Sequence, residues 1–369
     1  MTNRILPKQV LRLLFWETTI KCNLACAHCR RLESDEAVVT DLSTEQAGGL
    51  IQDLAEIGRG QSMMPVLVFS GGEPLCRPDL FELVDLARNA GLVTALATNG
   101  TLIDSACAAR IAQSGIARVS VSIDGATAEV HDHLRQLTGA FQSAIDGIRN
   151  LREQKVPFQI NITLTKHNDH QLEDVYQLAK SLGAVAVHVF MLVPVGCGQI
   201  LAETDMLSPE EYEEKMVEIC LLDSRSELQL KVTCGPHYER VIRQRGLYRQ
   251  RAEGKDSGGH IPGRYGQHSP SKGCLAGLGV LFVGHKGDVF PCGYLPVKCG
   301  NILEEKLSAI WFENKDLAIM RDCGKLEGKC GICGYREVCG GCRGRAYSVT
   351  GNYMAQEPFC AYVPPEAAH

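Results

Sequence analysis

A chain of 369 residues is long for a single domain and predicts a main domain with a smaller one beside it. A hydrophobic content of 45% argues against a disordered chain, and a net charge of −5 argues against a nucleic-acid-binding protein. The longest apolar run is shorter than the ~20 residues of a membrane span, and residues 1–10 lack the pattern of a secretory signal. We therefore expect a cytoplasmic protein without a membrane span.

Apolar segments of strand length alternate with amphipathic segments of helix length through the first 220 residues or so. The predicted strands are residues 11–17, 66–69, 92–97, 118–123, 158–164 and 185–191, and the predicted helices are residues 43–57, 78–89, 105–113, 140–153, 171–182 and 208–221. Such alternation implies parallel strands joined by helical crossovers. Six units are too few for an eight-unit barrel, so the expected fold is an α/β partial (β/α)6 barrel with ligand loops at the carboxyl ends of its strands.

The composition of the chain changes after about residue 245. Residues 254–272 are rich in Gly, Ser, His and Pro and predict a linker or mobile loop. From residue 273 onward, many glycines and densely spaced cysteines predict a small domain held together by metal. The sequence is therefore divided into a main domain at 1–225, a bridging region at 226–272 and a cysteine-rich domain at 273–369.

Three cysteines follow the first predicted strand at Cys-x3-Cys-x2-Cys spacing, namely Cys22, Cys26 and Cys29. Because thiols remain reduced in the cytoplasm, the seventeen cysteines point to metal ligands rather than to disulfides. Three thiolates can ligate three corners of a cubane cluster and leave the fourth iron open to a ligand. Taken alone, the motif also fits three buried cysteines or a zinc site that includes His28.

A second motif, Gly71-Gly72-Glu73-Pro74, follows the second predicted strand. Its glycines let the backbone approach a ligand closely, and Glu73 can accept hydrogen bonds from an ammonium group. An ordinary Gly-Gly turn is the alternative. Together, the two motifs resemble the radical S-adenosylmethionine (SAM) superfamily. The resemblance implies that the three cysteines ligate a catalytic [4Fe-4S] cluster whose open iron binds the amino and carboxylate groups of SAM.

The same resemblance implies further contacts with SAM, although each residue concerned could equally belong to a turn or a surface pair. Asn99 in Thr-Asn-Gly, and Ser122 and Asp124 in Ser-Ile-Asp-Gly, resemble loops that contact the ribose and the carboxylate. Arg135 resembles an arginine that pairs with that carboxylate. These four residues and residues 71–73 form the predicted cofactor site. The residue before the last cluster cysteine is often aromatic in the superfamily, and His28 departs from this pattern.

Seven cysteines after residue 273 form a second pattern: Cys274, Cys292, Cys330, Cys333, Cys339, Cys342 and Cys360. The gap of five residues between the two Cys-x2-Cys pairs is shorter than the roughly 15–20 residues of a zinc ribbon, although zinc remains an alternative. The layout resembles a SPASM or twitch-like domain, which houses one or two auxiliary [4Fe-4S] clusters. One spacing departs, because the family usually has three residues before the cysteine matched by Cys342 and this chain has two.

The SPASM resemblance implies two sets of ligands. Cys330, Cys333, Cys339 and Cys360 would ligate one auxiliary cluster, and Cys274, Cys292 and Cys342 would hold another. The fourth iron of the latter would be open to substrate or bound by Cys234, Cys299 or Cys323. Alternatively, only one auxiliary cluster forms. The cysteines outside the two patterns are expected to be mostly core or incidental residues.

Several segments, at residues 13–19, 26–30, 231–238, 287–297 and 339–347, resemble the heme synthases of the siroheme-dependent heme pathway. The resemblance implies an anaerobic oxidative decarboxylation of two propionates of a tetrapyrrole, iron-coproporphyrin III, to vinyl groups, which gives heme b. It implies a low-potential electron donor such as flavodoxin or ferredoxin, and an auxiliary cluster suits the electron that each decarboxylation releases. The propionates need cationic or hydroxyl partners. Seven residues are candidates for this role, although each of them could instead form an ordinary surface salt bridge. The candidates are Arg30, Arg31, His237, Tyr238, Arg264, Arg343 and Arg345.

The main alternative is a SPASM-type maturase that modifies a peptide or protein side chain. Only 21 residues precede Cys22, so no N-terminal peptide-binding domain is expected, which argues against many peptide maturases but not against sulfatase-type maturases. A non-enzymatic electron-transfer module would not need the Gly-Gly-Glu-Pro loop.

Overall fold

The computed structural model describes residues 9–30, 41–246 and 273–365. The linker predicted at residues 254–272, and the candidates Arg31 and Arg264, lie outside the described residues.

Seven parallel strands from the first two sequence regions belong to the main sheet, and the alternation of apolar and amphipathic segments predicted six of them. They are β1 (Leu13–Glu17), β2 (Val66–Ser70), β3 (Val93–Thr98), β4 (Arg118–Ser122), β5 (Phe158–Leu164), β6 (Ala186–Met191) and β7 (Gln229–Thr233). The first six match predicted strands. The unpredicted β7 lies in the bridging region and is a short edge strand in which only Leu230 is fully buried, so its apolar pattern is weak.

The cysteine-rich region continues the same sheet on its other side. Strand β8 (Val280–Val283) pairs parallel with β1, and β9 (Asp288–Phe290) and β10 (Gly300–Asn301) follow in antiparallel pairing. The strand order is β10-β9-β8-β1-β2-β3-β4-β5-β6-β7. Within the described residues, no pairing joins β10 to β7, so the sheet remains open and the expected partial barrel is confirmed.

Nine helices are described in the first two sequence regions: α1 (Thr44–Arg59), α2 (Leu80–Asn89), α3 (Ser105–Ser114), α4 (Ala128–Arg135), α5 (Ala140–Glu153), α6 (Leu172–Leu182), α7 (Gly198–Asp205), α8 (Pro209–Arg225) and α9 (His237–Gln244). In the last region, α10 (Leu307–Glu313), α11 (Lys315–Met320), α12 (Gly328–Ile332) and α13 (Arg343–Thr350) are described. Helix α2 begins two residues later than predicted. Asp79 occupies its N-cap position, but the Asp79 carboxylate accepts from Arg77 and Thr44 rather than from the helix amides.

One hydrophobic core extends from the main sheet into the last region. Trp16 and Phe69 from the first two strands and Trp311 from α10 are fully buried members of the same cluster. The backbone amide of Leu307 also donates to the Asp53 carboxylate on α1. The described part of the chain has no helix with the length and apolarity that a membrane span requires.

Candidate active site

The first three cysteines lie in residues 22–29, here called the cluster loop, directly beyond the carboxyl end of β1. All three thiols are partly buried. The loop after β2 packs against the chain that leads into the cluster loop, through hydrogen bonds from the Gly72 amide to the Thr19 carbonyl (2.8 Å) and from the Glu73 amide to the Lys21 carbonyl (2.7 Å). The second motif is therefore bonded to the residues directly before the first.

The two glycines after β2 allow this contact. A Cβ atom on Gly72 would lie 2.4 Å from the Lys21 carbonyl oxygen and 2.6 Å from that of Ile20. A Cβ atom on Gly71, whose φ is +145°, would lie 2.5 Å from the Thr19 carbonyl oxygen. The sequence predicts that these glycines let the backbone approach a ligand. The structure shows that they let the chain before the cluster loop pack closely against the loop after β2.

Glu73 is fully buried between the loops that follow β2 and β3. Its carboxylate accepts hydrogen bonds from the Leu75 amide (3.2 Å), the Thr98 hydroxyl (2.8 Å) and the Asn99 amide (2.8 Å). Burial raises the pKa of Glu73 to about 7 despite these donors. A carboxylate has about four acceptor positions, so one position remains for an ammonium group.

Asn99 connects the loop after β3 to the cluster loop. The side-chain nitrogen of Asn99 donates to the side-chain oxygen of Asn23 (2.9 Å), and the side-chain oxygen of Asn99 accepts from the backbone amide of Thr101 (2.9 Å). Asn23 in turn donates to the Thr101 hydroxyl (2.8 Å). Asn99 therefore fixes the cluster loop through its side chain, whereas Ser122 lies half-buried at the end of β4.

Asp124, just beyond β4, is the centre of a buried ionic network. Its carboxylate lies 2.6 Å from the Arg135 guanidinium and 3.3 Å from His28 Nε2, and it accepts from the Thr163 amide (2.8 Å). Burial opposes ionisation, but Arg135 and then His28 lower the pKa of Asp124 below its usual value. Burial lowers the pKa of His28 to about 4, so the residue that replaces the common aromatic is a neutral imidazole packed on Asp124.

The donors around the cluster loop suit a cluster held by three thiolates. Arg135 Nη1 lies 3.7 Å from Cys26 Sγ, and the Leu24 amide donates to Cys22 Sγ (3.4 Å). Hydrogen bonds of this kind stabilise and tune thiolate-bound iron. Among the described residues, no three His, Cys, Asp or Glu side chains are close enough to bind one ion. A cluster does not require such spacing, because each thiolate binds a different iron.

A cavity of about 360 Å³, including space open to solvent, is lined by four cysteines of the second pattern, namely Cys330, Cys333, Cys339 and Cys360. Backbone amides donate to three of their sulfurs at 3.3–3.5 Å. His237 also lines the cavity; it is buried, and neither ring nitrogen has a hydrogen-bond partner. Four thiols and an unsatisfied polar ring fit an iron–sulfur cluster at this position.

Cys274, Cys292 and Cys342 also converge, since their thiol groups lie close enough to affect one another's ionisation. Cys234, in the loop directly after β7, packs against the buried group of Val193, Val195 and Cys342. Cys299, by contrast, donates to the Val297 carbonyl.

Arg345 joins the cysteine-rich region to the main sheet. It is fully buried, pairs with the buried Glu357 at 3.0 Å, and donates to the backbone carbonyls of Leu192 (3.2 Å) and Cys234 (2.6 Å). Glu357 also accepts from the Cys342 amide (2.6 Å). This candidate propionate partner is therefore engaged by internal groups.

Two other candidate propionate partners are likewise engaged inside the protein. Arg343 donates to the Tyr353 and Ala355 carbonyls, and Tyr238 donates to Asp223. Of the described candidates, Arg30 lines a different and larger cavity.

That larger cavity, of about 660 Å³ including space open to solvent, lies between the end of β1 and the cysteine-rich region. Arg30 lies over the Phe282 ring (4.1 Å) and 3.2 Å from Glu17, which also lies 3.2 Å from His285 Nδ1. The remaining lining combines apolar, aromatic and cationic groups with one carboxylate and one cysteine of the second pattern: Ile20, Val195, Gly284, Lys286, Asp288, Phe290, Cys292, Gly293, Tyr294, Leu295 and Pro296. Glu17 and His285 were not predicted from the sequence as residues of a binding cavity. The position of Glu17 at the carboxyl end of a parallel strand could have indicated it, because ligands bind at that end of the strands.

Comparisons with known proteins agree with this geometry. The Radical SAM superfamily profile matches residues 16–179, and the SPASM profile, an iron-sulfur cluster-binding domain, matches residues 274–343. The AdoMet-dependent heme synthase of Methanosarcina barkeri is 45% identical over 96% of this chain and 97% of its own length. The enzyme of the same name from Oleidesulfovibrio alaskensis is 40% identical over 96% of this chain and 88% of its own.

A solved structure shows the same fold. Streptococcus suis SuiB bound to S-adenosylmethionine is 16% identical, with a TM-score of 0.71, over 96% of this chain and 78% of that one.

Proposed function

This chain belongs to the radical SAM enzymes that carry a SPASM domain, and from that membership we propose that it converts iron-coproporphyrin III to heme b by oxidative decarboxylation of two propionates. The observation that carries the proposal is 45% identity to an AdoMet-dependent heme synthase over nearly the whole of both chains. The large cavity beside the cluster loop supports it, since aromatic and cationic side chains line this cavity, as is usual for small-molecule sites.

Cys22, Cys26 and Cys29 are proposed to hold the catalytic cluster, with residues 71–73, Asn99, Ser122, Asp124 and Arg135 around SAM. When bound there, the cluster and SAM supply a radical that removes hydrogen from an unactivated carbon. The side chains of the protein hold the cluster loop and the loops after β2, β3 and β4 in position. The fourth acceptor position of Glu73 is available to the ammonium group of SAM, and Asp124 holds Arg135 near Cys26.

The large cavity is proposed to bind the tetrapyrrole. Phe282 and Phe290 offer flat apolar surface to a macrocycle, and Arg30, His285 and Lys286 offer cationic or hydrogen-bonding groups to propionates. Removal of one hydrogen from the propionate carbon next to the ring, followed by loss of CO2, leaves a vinyl group and one electron to be discarded. Cys292 lines the same cavity, so an electron acceptor beside the substrate is consistent with the geometry.

The electron that starts each turnover is proposed to come from a low-potential carrier such as flavodoxin or ferredoxin. Because seventeen cysteines are available for oxidation, a reducing compartment is needed, and we assign the protein to the cytoplasm.

The test is anaerobic protein supplied with SAM, reductant and iron-coproporphyrin III. Protoheme is expected, with a mono-vinyl intermediate before it, because one radical removes one hydrogen. Deuterium on the propionate carbon next to the ring should appear in deoxyadenosine, and deuterium beside the carboxylate should stay in the vinyl group. No decarboxylated porphyrin, with SAM cleavage active, would overturn the proposal in favour of a peptide substrate.

A further inference from the structure

We propose that Arg118, His188 and Lys231 form a carboxylate-binding subsite on the inner face of the main sheet, which is the face opposite the helices. The subsite binds propionates of the tetrapyrrole that the reaction leaves intact. This inference rests on the proposed function, because it assigns the carboxylates of that substrate to the inner face. A substrate with four propionates, of which two react, needs polar partners for the two that remain.

The alternation of side chains along the strands places these three residues on one face. Side chains at every second position of a strand point to the same face of a sheet. The residues beside them in their strands are buried members of the core that the helices cover: Val119, Val187, Val189 and Leu230. Arg118, His188 and Lys231 therefore point to the inner face. By the same alternation, so do Glu17 and Phe282, which line the large cavity.

The register of the sheet places the subsite in one row with a residue of the proposed SAM site. Ser122 of β4 pairs with Asn161 of β5, and Asn161 pairs with His188 of β6. His188 in turn pairs with Lys231 of β7. At about 4.8 Å per strand, Lys231 is about 14 Å from Ser122 along this row. A macrocycle that lies across the inner face can therefore present one propionate to SAM and another to the subsite.

Gln159 orients two of the three groups. Its side-chain oxygen accepts from Arg118 Nη1 (3.4 Å), and its side-chain nitrogen lies 2.9 Å from His188 Nδ1. Because an amide nitrogen can only donate, Nδ1 of His188 accepts and Nε2 carries the proton. Burial, followed by the positive charges of Lys231 and Arg118, lowers the pKa of His188 well below its usual value. His188 is therefore a neutral hydrogen-bond donor between two cations.

The cations of the subsite have no counterion from the protein. Within residues 9–30, 41–246 and 273–365, neither Arg118 nor Lys231 forms an ion pair with a carboxylate. Lys231 remains in contact with solvent, but partial burial, followed by the positive charges of Arg118 and Arg12, lowers its pKa. Glu17 and Asp288, on strands β1 and β9, already pair with other cations. Like charges without an internal partner favour a bound anion.

The curvature of the sheet brings the subsite towards the large cavity. Lys231 on β7 interacts electrostatically with Arg12, which directly precedes β1. In a flat sheet, these strands would be about 29 Å apart, and charges so far apart are screened from each other. The sheet must therefore curve until β7 approaches β1, whose Glu17 lines the large cavity.

The experiment measures the affinity of full-length, anaerobically reconstituted protein for iron-coproporphyrin III by titration of the porphyrin absorbance. Lys231→Met should bind it about 10-fold or more weakly than wild type, because a hydrogen bond to a charged group contributes about that factor. Lys231→Arg, which keeps the charge, and Lys180→Met, which removes an exposed lysine on α6, should stay within about 3-fold of wild type. The tetramethyl ester of the same porphyrin should bind equally well to wild type and Lys231→Met, since it has no carboxylates.

Three results overturn the inference. One is an equal affinity of wild type and Lys231→Met for the tetra-acid. Another is an equal loss of affinity for the acid and the ester in Lys231→Met, which would show a structural role. A third is weaker SAM binding in Lys231→Met with unchanged porphyrin affinity, because the cations would then bind the carboxylate of SAM. Porphyrin binding with the expected ester difference but without conversion would overturn the proposed function alone. Failure of wild type to bind the porphyrin would overturn both.

Discussion

The contact between the loop after β2 and the residues that lead into the cluster loop, at the proposed SAM site, predicts a large effect of one added methyl group. In Gly72→Ala, the new Cβ atom would lie 2.4 Å from the Lys21 carbonyl oxygen, whereas ordinary contact begins at 3.4 Å. The opposing atoms are backbone, so the loops must separate by about 1 Å. Overpacking of this kind costs about 1–3 kcal/mol, and a displacement of 1 Å at a reaction centre lowers the rate by about 100-fold.

The matched control is Gly49→Ala in α1. A Cβ atom there would have no heavy atom within 4 Å, and alanine in a helix is about 0.5–1 kcal/mol more favourable than glycine. The same chemical change should therefore destabilise the protein at residue 72 and stabilise it at residue 49.

The assay measures deoxyadenosine formation from SAM under dithionite, iron content and the urea unfolding midpoint for both variants. Gly72→Ala should form deoxyadenosine about 100-fold more slowly than wild type. A wild-type rate with full iron content in Gly72→Ala would refute the claim that loop contact requires glycine. Equal losses in both variants would show that the effect is not local.

Three further predictions follow from other parts of the structure. Replacing the three cysteines of the cluster loop with Ala should abolish deoxyadenosine formation while leaving auxiliary iron in place; a wild-type rate would show that the site assignment is wrong. Glu357→Gln leaves the Arg345 charge buried without its partner and should cost about 3–5 kcal/mol in urea unfolding, whereas exposed Glu313→Gln should stay within about 0.5 kcal/mol. The raised pKa of Glu73, about 7, means that the folded state binds its proton more tightly than the unfolded state. The contribution of Glu73 to the free energy of unfolding is therefore fully present below about pH 4.5 and is lost as pH rises through about 7. In Glu73→Gln, the urea unfolding midpoint should depend less on pH between pH 5 and 8 than it does in wild type.

The sequence predicted the features that depend on local spacing. Strands β1–β6 have strong apolar patterns, and the cluster loop is specified by ligand spacing within eight residues. Helix α4, which carries Arg135, was missed because its mean hydropathy is low and its apolar face short. The large cavity was beyond sequence reasoning, because Glu17 and His285 are 268 positions apart and meet only through the pairing of β1 with β8.

The position of β1 between β2 and β8 has a consequence for synthesis on the ribosome. The strand that leads into the cluster loop pairs on one side with residues 66–70. Its other side can pair only after residues 280–283 have been synthesised. At about 5–20 residues per second, those roughly 210 intervening residues take about 10–40 seconds to emerge. During that interval, one edge of β1 and the three thiols of the cluster loop beside it are not yet covered by the final sheet. Iron delivery that follows chain completion would thus avoid loading metal onto a half-paired strand.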